Sequence, residues 1–289
     1  MTALFVGLCT LDVIQLVPHV PGSNEKLTAH RQTIAAGGPA TNAAVTCSHL
    51  GHPATLVTAI GSHPLAAGIH ADLDAQGVTI VDMDAASVDP PTVSSILVTE
   101  STGDRAVAST NAAGRGFLPP ANLDALVADA SVVEVDGHHI AVAREAVRLA
   151  HADGRVTLLD GGSWKPGTRE LLRHLDVVVC SADFRPPGMA RHHSIMDFLL
   201  DHGVRYAAIT HGGGPILWRG KDGRGEVAVP ATAVADTLGA GDVFHGALAF
   251  ALAQHPELST DVFVSALNFA AGIAAHSCTS FGTRTWLRS

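Results

Sequence analysis

A chain of 289 residues, 47% hydrophobic and only 16% charged, carries enough apolar material for a large buried α/β core. Its formal charge of −9, from 18 basic and 27 acidic side chains, offers no basic field to a nucleic acid or an anionic membrane, so both are disfavoured as partners. No apolar run reaches membrane-spanning length free of charges or turns. Residues 1–8 lack a positive leader and run straight on towards Asp12, which reads as a first strand and not a signal peptide. Cys9, Cys47, Cys180 and Cys278 are scattered without a CxxC pair, and the apolar surroundings of the first three suggest reduced, buried thiols in a cytoplasmic setting.

Short apolar runs alternate with helical patterns from the N-terminus onwards. Residues 3–8, 55–59, 132–135, 156–159, 177–180 and 206–210 read as strands buried on both faces. Residues 40–50, 64–75, 141–152, 168–175 and 195–202 read as helices between them, and residues 240–253 and 261–279 as alanine-rich terminal helices. The alternation predicts right-handed βαβ crossovers and a doubly wound, mainly parallel sheet flanked by helices, with ligands bound beyond the carboxyl ends of its strands. Two segments break the rhythm. Residues 14–36 carry Pro18, Pro21 and Gly22, and residues 92–110 are rich in Val, Ser and Thr with a turn at Ser101-Thr102-Gly103-Asp104. They suit either edge strands or a small β-sheet lid, approximately 13–36 and 92–110, over a site. With no repeat, low-complexity tract or long linker, residues 1–289 read as a single domain.

The densest local signal is Asp236-Thr237-Leu238-Gly239-Ala240-Gly241-Asp242. Its glycines let backbone N–H groups approach a phosphate at the start of the helix over 240–253, and Asp242 stands where a substrate hydroxyl could be deprotonated. A tight turn with an Asp cap would look the same. Phe244 occupies the place of a required glycine in a dinucleotide fingerprint, and none of Lys26, Lys165 and Lys221 sits in a P-loop setting. Gly37-Gly38-Pro39-Ala40-Thr41-Asn42 repeats the idea of glycines opening a helix, with Asn42 offering donors and an acceptor to a polyol. The pairs His138-His139 and His192-His193 lack metal-site spacing and read as surface or pocket-edge residues.

An early diglycine turn paired with a late Asp-Thr-x-Gly-Ala-Gly-Asp resembles the ribokinase family of ATP-dependent sugar kinases, the PfkB-type carbohydrate kinases. Val135-Asp136-Gly137, Thr210-His211-Gly212 and Cys278-Thr279-Ser280-Phe281-Gly282 extend the likeness over the chain, the first and last towards the ketohexokinase-like branch. The resemblance implies that Asp242 is the catalytic base and that Gly239, Ala240 and Gly241 form the anion hole. It implies that Asp12, Gly38 and Asn42 grip sugar hydroxyls, with Asp136 at the pocket edge. Thr210, Gly212 and Asn268 would lie on the nucleotide side, and Asp236 would open a loop that binds a monovalent cation such as K+. ATP and Mg2+ are the implied cofactors, and a homodimer paired through its lids the implied assembly.

Three departures stand out. Asn-x-x-Glu, which organises magnesium in many relatives, is replaced by Cys180-Ser181-Ala182-Asp183-Phe184, leaving Asp183 as the substitute. Gly61-Ser62-His63 replaces a Gly-Asp-Asp, and Pro39 a lysine or asparagine. Asp12, Asn42 and Asp136 favour a neutral polyol sugar, whereas Arg31 and Arg105 in the lid segments leave room for one anionic group. A nucleoside kinase of the same fold would want an aromatic residue such as Phe117, Trp164 or Phe184 against its base. A catalytically silent sugar- or nucleotide-binding regulator is the third reading, opposed by the presence of Asp242 beside Gly239 and Gly241.

Overall fold

The computed structural model describes residues 1–189 and 191–288. Strand β1 (Thr2–Val6) leads into β2 (Thr10–Val17), β3 (Arg31–Gly37), helix α1 (Pro39–His49), β4 (Ala54–Thr58), α2 (Ala66–Ala75) and β5 (Val78–Asp82). Strands β6 (Val93–Thr99) and β7 (Arg105–Ser109) follow, then α3 (Leu123–Ala128), β8 (Ala130–Val135), α4 (Ile140–Ala152), β9 (Val156–Gly161), α5 (Thr168–Leu171) and β10 (Val177–Ser181). The chain ends with α6 (His192–Asp201), β11 (Tyr206–His211), β12 (Gly214–Gly220), β13 (Gly223–Val227), α7 (Ala240–Ala253) and α8 (Thr260–Ser277).

The larger sheet has the order β13-β12-β11-β10-β9-β8-β1-β4-β5, parallel from β11 to β5 with an antiparallel hairpin at its β13 edge. Its strands are apolar throughout because both faces are covered. Ala3 and Phe5 point to the side of α1, α7 and α8, while Leu4 and Val6 point to the side of α3, α4 and α6. From β1 the parallel order proceeds through β4 to β5, and the chain then returns to β8 on the opposite side of β1. Strand order therefore reverses between β1 and β8, and the crevice beyond their carboxyl ends is where such sheets bind ligands.

A second sheet, β3-β2-β6-β7, stands apart from the first. Its inner face places Ile14, Leu16, Ile96 and Val98 on Phe281, a residue from beyond α8. Both segments expected to break the helical rhythm enter this sheet, and the first of them starts earlier than its prolines suggested. Strand β2 begins at Thr10, so Asp12 lies inside the small sheet, opposite Ala35, and not in a turn after β1.

Other differences are local. Residues 168–175 hold only the single turn α5 followed by a 3-10 turn over Leu172–His174, interrupted before the extended Leu175. Strand β5, helix α3 and the β12–β13 hairpin were not anticipated. Each is short, and β5 is only half-buried at the sheet edge, so its apolar pattern carries little weight.

Helix α7 packs directly on α1 through Gly246. A Cβ added there would overlap the Ala43 carbonyl oxygen and crowd Thr46, so only glycine permits this approach. Gly246→Ala is expected to cost about 1–3 kcal/mol by overpacking, read as a lowered urea midpoint with an unchanged slope.

Candidate active site

Two helix starts build the site. Helix α1 begins at Gly38, with φ of 99° and Pro39 at the first helical position, and α7 begins at Gly239, with φ of 73°. Glycine adopts these left-handed angles without the steric cost that other residues meet. Asp242 falls in the first turn of α7, where the positive end of the helix favours a carboxylate. Asn42 falls one turn into α1, and its Nδ2 donates to Asp242 Oδ2 at 2.8 Å. The anticipated base and the anticipated sugar-contacting amide, 200 residues apart, are thus hydrogen-bonded to one another.

Asp242 as a whole residue retains intermediate exposure, but its carboxyl lies deep among other acids. Burial first and Asp160 second push it up to about 7, while the Asn42 bond and nearby His245 act in the opposite direction. Asp160, at the end of β9, is 7% exposed, and its Oδ2 lies 3.5 Å from His245 Nδ1. The His245 ring is held between the Gly241 carbonyl at 2.8 Å and the Val179 carbonyl at 3.1 Å. Beneath them Glu134 on β8 is fully buried, and neither of its carboxyl oxygens has a hydrogen-bond partner among the described residues. Burial, then Asp160, Asp136 and Asp242, hold its carboxyl well above the usual range.

The other anticipated residues divide into two groups. Asp12 is buried beside this cluster; its Oδ1 accepts from Thr10 Oγ1 at 2.5 Å, and burial raises its carboxyl despite the donors around it. Asp136 also lies here, but its oxygens accept main-chain N–H groups of Leu8 at 2.8 Å, His138 at 2.8 Å and Ala40 at 3.3 Å. Burial alone would raise this carboxyl; His138, Lys165 and the N–H donors outweigh it and the group is lowered. Asp136 is therefore a clamp joining β1, α1 and β8. Asp236 is a second clamp, accepting from Leu238 N and Gly282 N, both at 2.9 Å, and so fastening the loop before α7 to the segment after α8. Ala240 N–H donates within the same loop to Thr237 O at 3.3 Å, while Gly241 faces open space.

Thr210 and Gly212 lie at the carboxyl end of β11, and Asp183 lies exposed just beyond β10, on the same edge of the sheet. None of them bonds to the Asp242 cluster. Asn268 is exposed on α8, with its Nδ2 donating to Val264 O at 2.8 Å. Phe184 is buried in the core, and the half-buried Trp164 packs edge-on against it.

Four residues of the site were not read from the sequence. Glu134 carried a usable signal, an acid inside the apolar run Val132-Val133-Glu134-Val135. Asp160 and His245 carried none in isolation. Arg284, in the turn after α8, donates from Nη1 to Asn42 Oδ1 at 3.0 Å, and nothing local marks it.

A model of the pfkB family carbohydrate kinases matches residues 2–288. The chain belongs to that family. This kinase is 26% identical over 298 residues to the ribokinase of Mus musculus, covering 97% of its own length and 90% of the relative's. It is 25% identical over 308 residues to the deoxyribokinase of Salmonella typhi, covering 99% and 95%. Among solved structures, Arabidopsis thaliana ribokinase complexed with ribose and ATP has a TM-score of 0.80 at 18% identity, over 99% of this chain and 94% to 97% of such neighbours, 97% in this case. The kinase is thus an ATP-dependent phosphotransferase whose acceptor is an alcohol group of a sugar or nucleoside.

The buried acid beneath the site has a consequence for stability. Glu134 is raised above its ordinary 4.5, so its contribution is fully present below that value and is lost as pH rises towards its folded value. Glu134→Gln is expected to be more stable than the parent at neutral pH, with the difference closing towards pH 4.5. Urea melts across that range check it, and an equal difference at every pH would contradict the assignment.

Proposed function

We propose that this kinase transfers the γ-phosphoryl group of ATP to a hydroxyl of a neutral sugar, with Asp242 as general base. The observation that supports the reading is the Asn42–Asp242 hydrogen bond, an amide and a carboxylate side by side at the start of α7. Asp242 accepts the hydroxyl proton while the sugar oxygen forms its bond to γ-phosphorus and the bond to the β-phosphate oxygen breaks, releasing ADP. Phosphoryl transfer of this kind needs positioning and charge stabilisation more than covalent help. N–H groups of Gly239, Ala240 and Gly241 receive the charge that develops, and Gly241 is the most open of the three.

Asp12, Gly38 and Asn42 form the sugar side in this reading. Asp136 shapes that side through the backbone it clamps, without a free oxygen pair to offer. Thr210, Gly212 and Asn268 border the nucleotide. Magnesium generally takes one or two carboxylates together with water and phosphate oxygens. Such a cation would arrive with the nucleotide. The exposed Asp183 carboxylate would face it there, and the bound ion would neutralise phosphate charge. Potassium beside Asp236 would stiffen the loop that this residue already anchors. The small sheet acts as the lid that excludes water from ATP, and its outer side chains Ile34 and Val107, both more than half exposed, pair it with a second copy in a homodimer.

A panel of pentoses, ketohexoses and nucleosides, followed by ADP release, tests the acceptor; turnover on adenosine or cytidine with none on any sugar would replace the sugar reading by the nucleoside one. Asp242→Asn is expected to lower kcat by about 10²–10⁴-fold while sugar binding, measured by calorimetry, persists. Because the ionised form of Asp242 is the base, kcat/KM should rise with pH through about 7. A near-normal rate in Asp242→Asn would remove the base assignment.

A further inference from the structure

Arg284 reaches three separate elements with one guanidinium. Nη1 donates to Asn42 Oδ1 in α1 at 3.0 Å and to Thr283 O at 3.2 Å. Nη2 donates to Ala36 O in β3 at 2.7 Å and lies 3.1 Å from Asp72 Oδ2 in α2, which also receives Nε at 3.2 Å. The side chain is only 13% exposed. A guanidinium has donors and no acceptor, so Asn42 can only present its carbonyl oxygen to it. The amide nitrogen of Asn42 is then the group left facing Asp242 Oδ2. Were the amide reversed, its NH2 would oppose the guanidinium and its oxygen would oppose the carboxylate.

We propose that Arg284 is a positioning residue that orients Asn42 and, through it, Asp242, and that its hold on Ala36 makes this orientation depend on the place of the small sheet. The inference rests on the kinase reading above. Its second half has independent support in the same segment. Phe281 is buried on Ile14, Leu16, Ile96 and Val98 of the small sheet, and Gly282 N–H donates to Asp236 at the other end of the anion-hole loop. Residues 281–284 therefore touch the sheet, the loop and the base's partner within one turn of chain. The groups facing Asp242 are Asn42 from α1, Asp12 from β2, Glu134 from β8, Asp160 from β9 and His245 from its own helix. Of these, Asn42 is the one whose orientation Arg284 sets.

The test compares Arg284→Ala, Arg284→Lys, Asn42→Ala and the double variant Asn42→Ala/Arg284→Ala on the best acceptor of the panel, with and without added guanidinium chloride. Arg284→Ala is expected to lower kcat by about 10²-fold, the scale of a small misplacement of reacting groups. Its kcat/KM profile should move to higher pH, since Asp242 loses a donor that favours its ionised form, and guanidinium should recover part of the rate. Lysine keeps the charge but not the planar fork, so Arg284→Lys should stay impaired. The double variant should be little slower than Asn42→Ala alone, because both changes break one chain of contacts. Arg284→Ala within about threefold of the parent, or losses that simply add in the double variant, overturns the inference. Should Arg284→Ala fail to fold, the same cycle with Arg284→Lys decides between these outcomes. An inactive parent would sink the kinase reading and the inference together, whereas an active parent indifferent to Arg284 sinks the inference alone.

Discussion

The hydrogen bond from Asn42 to Asp242 is the contact on which the site depends. It joins the first turns of α1 and α7, 200 residues apart, at 2.8 Å. The close approach at Gly246 makes this possible, since the two helix axes could not come together over a side chain at that position. Around this contact, Asp136 ties β1, α1 and β8, and Asp236 ties the loop before α7 to the C-terminal segment. Asp136 and Asp236 thus hold the backbone from which Asn42 and Asp242 project.

Charge is handled by crowding acids and separating their proton affinities. Glu134 and Asp242 lie close under α7, where burial first and the neighbouring Asp160 second raise both carboxyls. Asp136 sits in the same neighbourhood yet is lowered, because main-chain N–H groups and nearby cations surround it. The difference follows from the neighbours: Glu134 has acids around it and no donor among the described residues, while Asp136 has His138, Lys165 and three main-chain donors. Asp242 falls between them, with one amide donor and an acid neighbour, and its carboxyl is pushed up to about 7.

The small sheet joins the main core through Leu11 and Ala36 and is held to it by further specific contacts. Phe281 fills the inner face of the small sheet, and Arg284 and Asp72 both contact Ala36 at the foot of β3. A displacement of β3 would be felt at Asn42 through one guanidinium. The small sheet is thereby linked to Asn42 and Asp242 through short polar contacts.

Local pattern in the chain determined a good deal. Period and length marked the six central strands and the two alanine-rich terminal helices, because strands buried on both faces are apolar throughout. The two glycine-opened helix starts were equally legible, since positive φ at Gly38 and Gly239 leaves a mark that sequence shows directly. Short half-buried elements such as β5 and the β12–β13 hairpin were not, since edge position and pairing supplied their stability and little of it was written in hydrophobic period. What only the tertiary structure decided was partnership. Asp12, Asp136, Asp236 and Asp242 are the same residue type at four places in the chain, and nothing in their neighbours along it tells which will hold main-chain N–H groups and which will meet another side chain. That depends on which N–H groups arrive from 96, 46 or 200 residues away, as those of Ala40 and Gly282 do for Asp136 and Asp236 and that of Asn42 for Asp242.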